Sequence, residues 1–170
     1  MATEDITGDG LPDMMAIADT QLWAFTGYTG GSFSKAELLT DSSYWPTRDI
    51  VNVRDVTGDG VADMLYRGPD ADRGLLLRQG KPAAGGGVDL NSLSTAADSA
   101  TGADIVYGTA GWLRASMPIV LGGPNVSGSS TPDFWAVTSG GELRYYPGGT
   151  TAHGTPSAVG SGWTTIKALG

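Results

Sequence analysis

A nine-residue pattern, Asp-x-Thr-Gly-Asp-Gly-x-x-Asp, occurs twice in this chain, over residues 5–13 and 55–63. Residues 125–133 carry a degenerate copy, in which oxygen-bearing side chains still stand at positions one, three, five and nine. Alternate residues of such a loop can turn their oxygens inward, and the glycine after position five permits a sharp turn. The pattern therefore predicts a short loop that wraps a hard cation.

An EF-hand is the obvious alternative, because it also places acidic residues at alternate loop positions. It requires a glutamate at position twelve and a helix on each side. Position twelve is Ala16 after the first loop and Tyr66 after the second. The runs that follow the three loops are short and apolar, which is typical of strands (residues 14–17, 64–66 and 134–137). The loop is therefore predicted to join one strand to the next.

The intact loops, each followed by an apolar strand, resemble the FG-GAP/VCBS repeats of secreted bacterial proteins. Those repeats are related to the calcium-binding blades of integrin alpha-chain propellers. The resemblance covers nearly the whole chain and implies an all-β fold of four-stranded β-propeller blades with Ca²⁺ in a hairpin loop. It does not imply one activity.

We expect each intact loop to bind Ca²⁺ through three carboxylates, a threonine hydroxyl and a backbone carbonyl. Three carboxylates within nine residues would repel one another without a cation. Asp-Gly turns that only cap strand ends are the alternative interpretation. The predicted ligands are Asp5, Thr7, Asp9, Leu11 and Asp13 in the first loop, and Asp55, Thr57, Asp59, Val61 and Asp63 in the second.

The third loop offers one formal charge among neutral oxygens, which makes a poor calcium cage. We therefore expect it to keep the turn and to lack the metal. The residues at its four oxygen-bearing positions are Asn125, Ser127, Ser129 and Asp133.

Four landmarks recur in the same order: an Asp loop, a strand that ends in glycine, a tryptophan, and an apolar strand before the next loop. A propeller blade takes about 40 to 50 residues. The chain therefore divides into three repeats, approximately 5–54, 55–124 and 125–170. The second repeat has an insertion at 81–103, rich in Gly, Ala, Ser and Asp, which we interpret as a surface loop, either mobile or used for binding. Residues 89–98 within it are predicted to hold a short helical turn.

The two ends of the chain suggest how the blades are completed. The first repeat begins at a loop without the strand that should precede it, and the last repeat ends with an apolar strand at 166–169. We expect this C-terminal strand to complete the first blade. Three blades are too few for a ring of about four to eight. We favour a homodimer of six blades, and an open arc of a larger propeller is the alternative.

Composition excludes several classes of function. A net charge of −8 argues against nucleic acid and anionic membranes as partners. The chain has no cysteine, which excludes disulfides and thiolate chemistry, and no apolar run approaches the length of a membrane span. Asp-rich loops suit an extracellular medium that contains millimolar calcium. We expect a secreted or cell-surface location, and, because no export signal is visible, a segment of an exported protein.

The aromatic residues and the single histidine are the other candidate binding or catalytic groups. Three tryptophans recur at one repeat position, which suits packing between blades, although aromatic faces can also stack on sugar rings. Trp23 and Trp135 lie within predicted strands and are expected in the core, whereas Tyr145 and Tyr146 should face opposite sides of one strand. His153 lies in a loop-like stretch and is expected to be solvated. The recurring tryptophans are Trp45, Trp112 and Trp163.

No motif of a hydrolase or of a zinc protease is present, so we expect no enzymatic activity. The predicted function is a noncatalytic, calcium-stabilised binding or scaffold module whose ligand is a glycan or a protein. A self-assembling structural element without a ligand, and an accessory domain of a secreted hydrolase, remain alternatives.

Overall fold

The computed structural model describes residues 2–68 and 74–165, and these form an all-β fold with eleven strands in three antiparallel sheets. Each sheet is called a blade below. Blade 1 consists of β1 (Met14–Ala18), β2 (Gln21–Tyr28) and β3 (Phe33–Asp41). Blade 2 consists of β4 (Asp49–Arg54), β5 (Asp63–Arg67), β6 (Leu75–Arg78) and β7 (Ile105–Gly108). Blade 3 consists of β8 (Ile119–Gly122), β9 (Phe134–Val137), β10 (Leu143–Tyr146) and β11 (Ser157–Gly160).

The prediction of all-β, blade-like sheets is confirmed. In each blade neighbouring strands follow one another in the sequence, as in a meander. The apolar runs after the three loops form β1, β5 and β9, and the runs that end in glycine form β2, β6 and β10. The sequence did not identify the outer strands β3, β7 and β11, which contain more exposed residues than the strands they pair with. The predicted strand at 166–169 lies outside the described residues.

The three blades keep one strand register. Met14 pairs with Phe25 in blade 1, and Met64 pairs with Arg78 at the equivalent position of blade 2. Phe134 pairs with Tyr146 in blade 3. Each pair joins the residue directly after an Asp loop to the residue two places before the glycine that recurs in the next strand or just after it. Equivalent positions in the three blades can therefore be compared one by one.

Blade 2 is sandwiched between the other two blades. Alternate residues of a strand face opposite sides, so Tyr66 packs toward blade 1 and Leu65 packs toward blade 3. One apolar cluster lies between blades 1 and 2 and includes Met15 and Leu22. A second cluster lies between blades 2 and 3 and includes Phe134. The core of the molecule is thus the pair of interfaces between blades.

The recurring tryptophans confirm the packing interpretation at two of three positions. Trp45 is 1% exposed in the cluster between blades 1 and 2, and Trp112 is 4% exposed in the cluster between blades 2 and 3. Trp163 is half-buried. The expectation that Trp23 and Trp135 lie in the core is wrong, because both are only half-buried. They lie on sheet faces of the outer two blades that no further described blade covers.

The insertion is not the free surface loop that its composition suggested. The 3₁₀ turn Leu90–Leu93 confirms the predicted helical turn, and Leu93 is fully buried. Val88 is also buried, and its N–H donates to the carbonyl of Ile6 at 2.8 Å. The insertion therefore packs against the first Asp loop and into the core between blades 1 and 2.

A buried arginine, Arg78, holds the insertion in place. Its guanidinium makes a bidentate pair with Asp104, at 2.8 and 2.9 Å, and donates to the carbonyls of Leu93 and Ser94. Its remaining N–H donates to the Tyr66 hydroxyl at 3.2 Å. All five N–H groups of Arg78 thus have acceptors, which is the condition for burying a guanidinium without a large energetic cost.

A second arginine, Arg67, holds the connection between blades 2 and 3. Arg67 is 3% exposed, pairs with Asp49, and donates to the carbonyls of Trp112 and Met117. Arg114 pairs with the other carboxylate oxygen of Asp49 at 2.8 Å.

In the described residues no helix is long and apolar enough to cross a membrane.

Candidate metal centre

The aspartate at position nine of each loop is the most buried of the predicted ligands. Asp63 is fully buried, and its Oδ2 accepts the N–H groups of Val56 and Thr57 at 3.0 and 2.9 Å. Its Oδ1 accepts the N–H of Gly80 at 3.0 Å. One carboxylate therefore closes the loop and ties it to the end of β6.

The same three bonds recur in the other two loops. Asp13 accepts from Ile6, Thr7 and Gly27, at 2.9, 3.1 and 2.9 Å. Asp133 accepts from Val126, Ser127 and Gly148, at 2.7, 2.8 and 2.7 Å. The degenerate third loop has lost the acidic residues at positions one and five but has kept this one. Position nine is thus required by the loop geometry, with or without a metal.

This bond also explains the glycine landmark of the sequence. Gly80 must bring its N–H close to the Asp63 carboxylate, and a Cβ at this position would collide with the carbonyl oxygen of Ala62. A Cβ at Gly148 would collide in the same way with the carbonyl oxygen of Pro132. Only glycine allows such a close approach of two backbones.

The aspartate at position one organises the turn. The Oδ1 of Asp55 accepts the N–H groups of Gly58 and Asp59 at 2.6 and 3.1 Å, and its Oδ2 accepts that of Gly60 at 2.9 Å. Asp5 repeats the arrangement in the first loop. The slight burial of Asp5 raises its pKa, but the three N–H donors outweigh this and hold the pKa below its usual value.

The aspartate at position five is more open. Oδ1 of Asp59 accepts the N–H of Val61 at 2.9 Å, and Oδ1 of Asp9 accepts the N–H of Leu11 at 2.8 Å. Both side chains are exposed. Position seven, Leu11 or Val61, thus supports the turn through its N–H.

The threonines at position three differ between the loops. The Thr7 hydroxyl donates to Asp13 at 3.1 Å. The Thr57 hydroxyl is buried beside the Asp63 carboxylate, but it lacks the geometry of a hydrogen bond with any described residue. Burial raises the pKa of Asp63 to about 6, although the N–H donors and the nearby Thr57 hydroxyl act to lower it.

The donor set of each intact loop has the chemistry that Ca²⁺ requires. Each set contains only oxygen donors, three of them carboxylates, and in the second loop the buried Thr57 hydroxyl lacks a partner among the described residues. The side chains are not gathered around one point. Over residues 2–68 and 74–165, no group of three or more His, Cys, Asp or Glu lies close enough to hold a metal ion. The loop residues fit the ion by chemical type, while the carboxylates are turned toward backbone N–H groups.

Each intact loop lies against the following blade. The backbone at Gly87 approaches Thr7 so closely that a Cβ on Gly87 would collide with the Thr7 carbonyl. In the second loop Gly58 faces Thr150 of blade 3. The segments that contact the loops both follow the third strand of the next blade. Loop conformation is therefore coupled to packing between blades.

Two of the cavities that the described residues form lie near the boundary of blades 1 and 2. The larger, about 510 Å³, lies between β1 and the start of β4 and offers Asp19, Arg48 and Asp49 as polar groups. The smaller, about 200 Å³, is lined by Tyr44, Trp45 and the Arg78–Asp104 pair, among others. Because every N–H of Arg78 already has an acceptor, the smaller cavity belongs to the network that holds the insertion.

The single histidine is not the solvated loop residue that the sequence suggested. His153 is half-buried, with its ring centroid 5.2 Å from that of Tyr146 and 5.4 Å from that of Trp112. It also contacts Phe134 and Tyr107, at 5.8 and 6.4 Å. No sequence signal placed it there, because the four rings come from different strands and connections.

Tyr146 is 3% exposed and Tyr145 is half-buried on the other face, which confirms that they face opposite sides.

Comparison with protein families identifies one match. Residues 5–66 match the family model of the FG-GAP-like repeat. The match begins at the first Asp loop and ends within β5, so it includes both intact loops. The search of curated proteins found no relative of the chain.

Proposed function

Since residues 5–66 carry an FG-GAP-like repeat, we propose that this chain is a noncatalytic β-propeller-type binding or scaffold module that Ca²⁺ stabilises. The proposal is carried by one observation: two loops of identical sequence pattern have the same hydrogen bonds and hold three aspartates each. The ligands of the ion would be Asp5, Thr7, Asp9, Leu11 and Asp13 in one loop and Asp55, Thr57, Asp59, Val61 and Asp63 in the other.

Calcium would act on stability through charge. Each ion adds two positive charges, so two ions would change the net charge of −8 to about −4. An ion that binds only the folded state stabilises it by about 2.7 kcal/mol when its concentration is one hundred times the Kd. The third loop, with Asn125 and Ser129 in place of two aspartates, would remain without metal.

A noncatalytic role is consistent with the family and with the site. FG-GAP repeats are a noncatalytic repeat family, and His153 is packed among aromatic rings. The module would bind a glycan or another protein in a secreted or cell-surface setting, where calcium is abundant. The 510 Å³ cavity between β1 and β4 is a concave surface of a size that suits such a ligand. A role as the accessory domain of a secreted hydrolase would use the same surface.

A calcium titration of the chelator-stripped protein tests the proposal. Isothermal titration calorimetry should detect two ions per chain, and the melting temperature should rise with calcium. Mg²⁺ is the control, because it demands rigid octahedral geometry and releases water reluctantly. Absence of binding at millimolar calcium would overturn the metal proposal and leave the Asp loops as hydrogen-bonded turns.

A glycan array, probed with the calcium-loaded protein, tests the ligand. A selective signal that Arg48→Ala removes would place a glycan in the 510 Å³ cavity. A protein without any glycan signal would direct the search to protein ligands.

A further inference from the structure

The two internal interfaces are built from the same blade positions. The face of a blade that looks toward the preceding blade is called its N-side face, and the opposite face its C-side face. In blade 2, Met64, Tyr66 and Leu76 form the N-side face, and Leu65, Leu75 and Leu77 form the C-side face. These six side chains are between 0 and 3% exposed. Every internal contact pairs the C-side face of one blade with the N-side face of the next.

The N-side face of blade 1 is apolar and has no partner blade in the described structure. Met14, Ala16 and Trp23 stand at the positions of Met64, Tyr66 and Leu76, as the shared register requires. Each of them is half-buried, whereas its counterpart in blade 2 is fully buried. Phe25 extends this face and packs beside Trp23, with ring centroids 6.2 Å apart.

The C-side face of blade 3 is the complementary surface. Trp135, Leu143 and Tyr145 stand at the positions of Leu65, Leu75 and Leu77. All three are half-buried, and the ring centroids of Trp135 and Tyr145 are 4.8 Å apart. Among the residues that the structure describes, nothing therefore covers the N-side face of blade 1 or the C-side face of blade 3.

We propose that the C-side face of blade 3 packs against the N-side face of blade 1 in a second copy of this chain. The argument is continuity: the same two kinds of face meet at both interfaces inside the chain, with apolar side chains at the same positions. A head-to-tail contact between different faces closes into a ring when the rotation allows it. Two chains of three blades make six, which lies within the range of about four to eight blades that closed propellers have.

The chemistry of the faces favours another blade over a small ligand. Each face is a sheet surface of aromatic and aliphatic side chains from two neighbouring strands, β1 and β2 in one case and β9 and β10 in the other. Such a surface matches another sheet at the usual separation of about 10 Å. Burial of apolar area on both sides of the contact supplies the driving force.

Self-association can be tested with one charged substitution on each face. Trp23→Glu alters the N-side face of blade 1, and Leu143→Glu alters the C-side face of blade 3. The wild type should have twice the 17.4 kDa mass of one chain in analytical ultracentrifugation at micromolar concentration. Each variant alone should be a monomer, because both contacts of a two-chain ring use the altered face.

A mixture of the two variants separates a head-to-tail contact from a symmetric one. The unaltered C-side face of Trp23→Glu can still bind the unaltered N-side face of Leu143→Glu, so the mixture should regain a two-chain species. A symmetric contact would use one kind of face twice, so one variant would remain dimeric and mixing would restore nothing. A variant that stays dimeric on its own, with no change on mixing, would overturn the proposal. A wild type that remains monomeric at 100 times the concentration used in the ultracentrifuge would also overturn it.

The matched control is Leu38→Glu. Leu38 pairs with Trp23 and is 42% exposed, and its counterpart Val106, which pairs with Leu76, is 45% exposed although blade 1 lies beside it. The outer strand thus stays exposed in an assembled interface. Leu38→Glu should therefore leave the two-chain mass unchanged.

Single-cysteine variants provide a second measurement if a charged variant fails to fold. The chain has no cysteine, so Ala16→Cys and Leu143→Cys each introduce a unique thiol. The equivalent residues Tyr66 and Leu22 meet in the cluster between blades 1 and 2. A short bis-maleimide should link the two variants when they are mixed and should link neither to itself. Self-linkage of each variant would contradict the proposal.

Calcium binding uses other residues, so failure of the self-association proposal leaves the calcium proposal testable, and the reverse also holds.

Discussion

At the scale of single residues, the Asp loops shape their turns through backbone hydrogen bonds and, as we propose, also bind calcium, and the sequence pattern does not separate these two tasks. Positions one and nine accept backbone N–H groups and shape the turn, and Asp133 shows that position nine persists where the acidic residues of positions one and five are absent. Position five is exposed and accepts a single N–H. A carboxylate at position five is therefore the one whose role depends most on a bound cation.

Asp59→Ala and Asp63→Ala should separate these tasks. Asp63→Ala leaves the buried N–H groups of Val56, Thr57 and Gly80 without an acceptor, so it should destabilise the protein by about 3 kcal/mol in chelator. It should destabilise the protein further in calcium, because the substitution also removes a proposed ligand of the ion. Asp59→Ala should lower the melting temperature in calcium and have little effect in chelator. Differential scanning calorimetry under both conditions measures the difference.

Asp133→Ala is the control, because it removes the same three bonds from a loop that we expect to lack metal. Its effect should be equal in both conditions. If Asp59→Ala destabilised the protein equally in both, position five would serve the turn and not the ion.

At the scale of elements, buried ion pairs fasten the long connections to blade 2. Arg78 stands at the position of Phe25 in blade 1 and Tyr146 in blade 3, so this charge is specific to blade 2. Within its network, Tyr44 donates to Tyr66, because the hydrogen of Tyr66 is directed to Asp104. Burial raises the pKa of Tyr66 against the opposing effect of the Arg78 charge, and the hydrogen bonds with Tyr44 and Asp104 raise it further, so Tyr66 remains a neutral donor. At this position the other two blades have an aromatic side chain, whereas in blade 2 the arginine forms an ion pair and hydrogen bonds with the inserted segment and the residue that follows it.

Arg78→Met should release the insertion. The substitution leaves Asp104 buried without its cation, which costs about 3–5 kcal/mol for a broken buried pair. Limited proteolysis should then cleave within residues 81–103 at protease concentrations that leave the wild type intact. Cleavage at the same rate in both proteins would show that other contacts, such as those of Val88, suffice to hold the segment.

Asp49 should contribute an acid-sensitive part of the stability. Burial alone would raise its pKa, but its bonds with Arg114 and Arg67 outweigh burial and hold the pKa below the usual value. A carboxyl whose pKa is lower in the folded state stabilises the fold above its unfolded pKa of about 3.9 and loses that contribution as the pH falls through the folded value.

The comparison of wild type with Asp49→Asn tests this. Their difference in melting temperature should be largest above about pH 4 and should shrink at lower pH. A difference that stays constant with pH would mean that Asp49 acts through packing or neutral hydrogen bonds.

At the scale of the whole molecule, the described residues form three consecutive blades whose two outer faces are apolar. If two copies close these faces, unfolding is coupled to dissociation, and the melting temperature should rise with protein concentration. Acrylamide should also quench Trp23 and Trp135 less in concentrated than in dilute protein, because both rings lie on these faces. A melting temperature independent of concentration between about 1 and 100 µM would argue for a monomeric arc.

The sequence by itself determined the blade architecture, the inner strands, the glycine landmarks and the Asp loops. These features are local: an apolar run, a turn glycine or an Asp at a set spacing acts on neighbours in the chain. The outer strands escaped prediction because more of their side chains meet solvent, so neither a long apolar run nor a strict apolar–polar alternation marks them. Only the tertiary structure decided that Asp63 binds Gly80 and that Arg78 holds the insertion. It also placed His153 among four rings and left Trp23 and Trp135 on open faces. These positions depend on which blades pack together, and such contacts join residues that are far apart in the sequence.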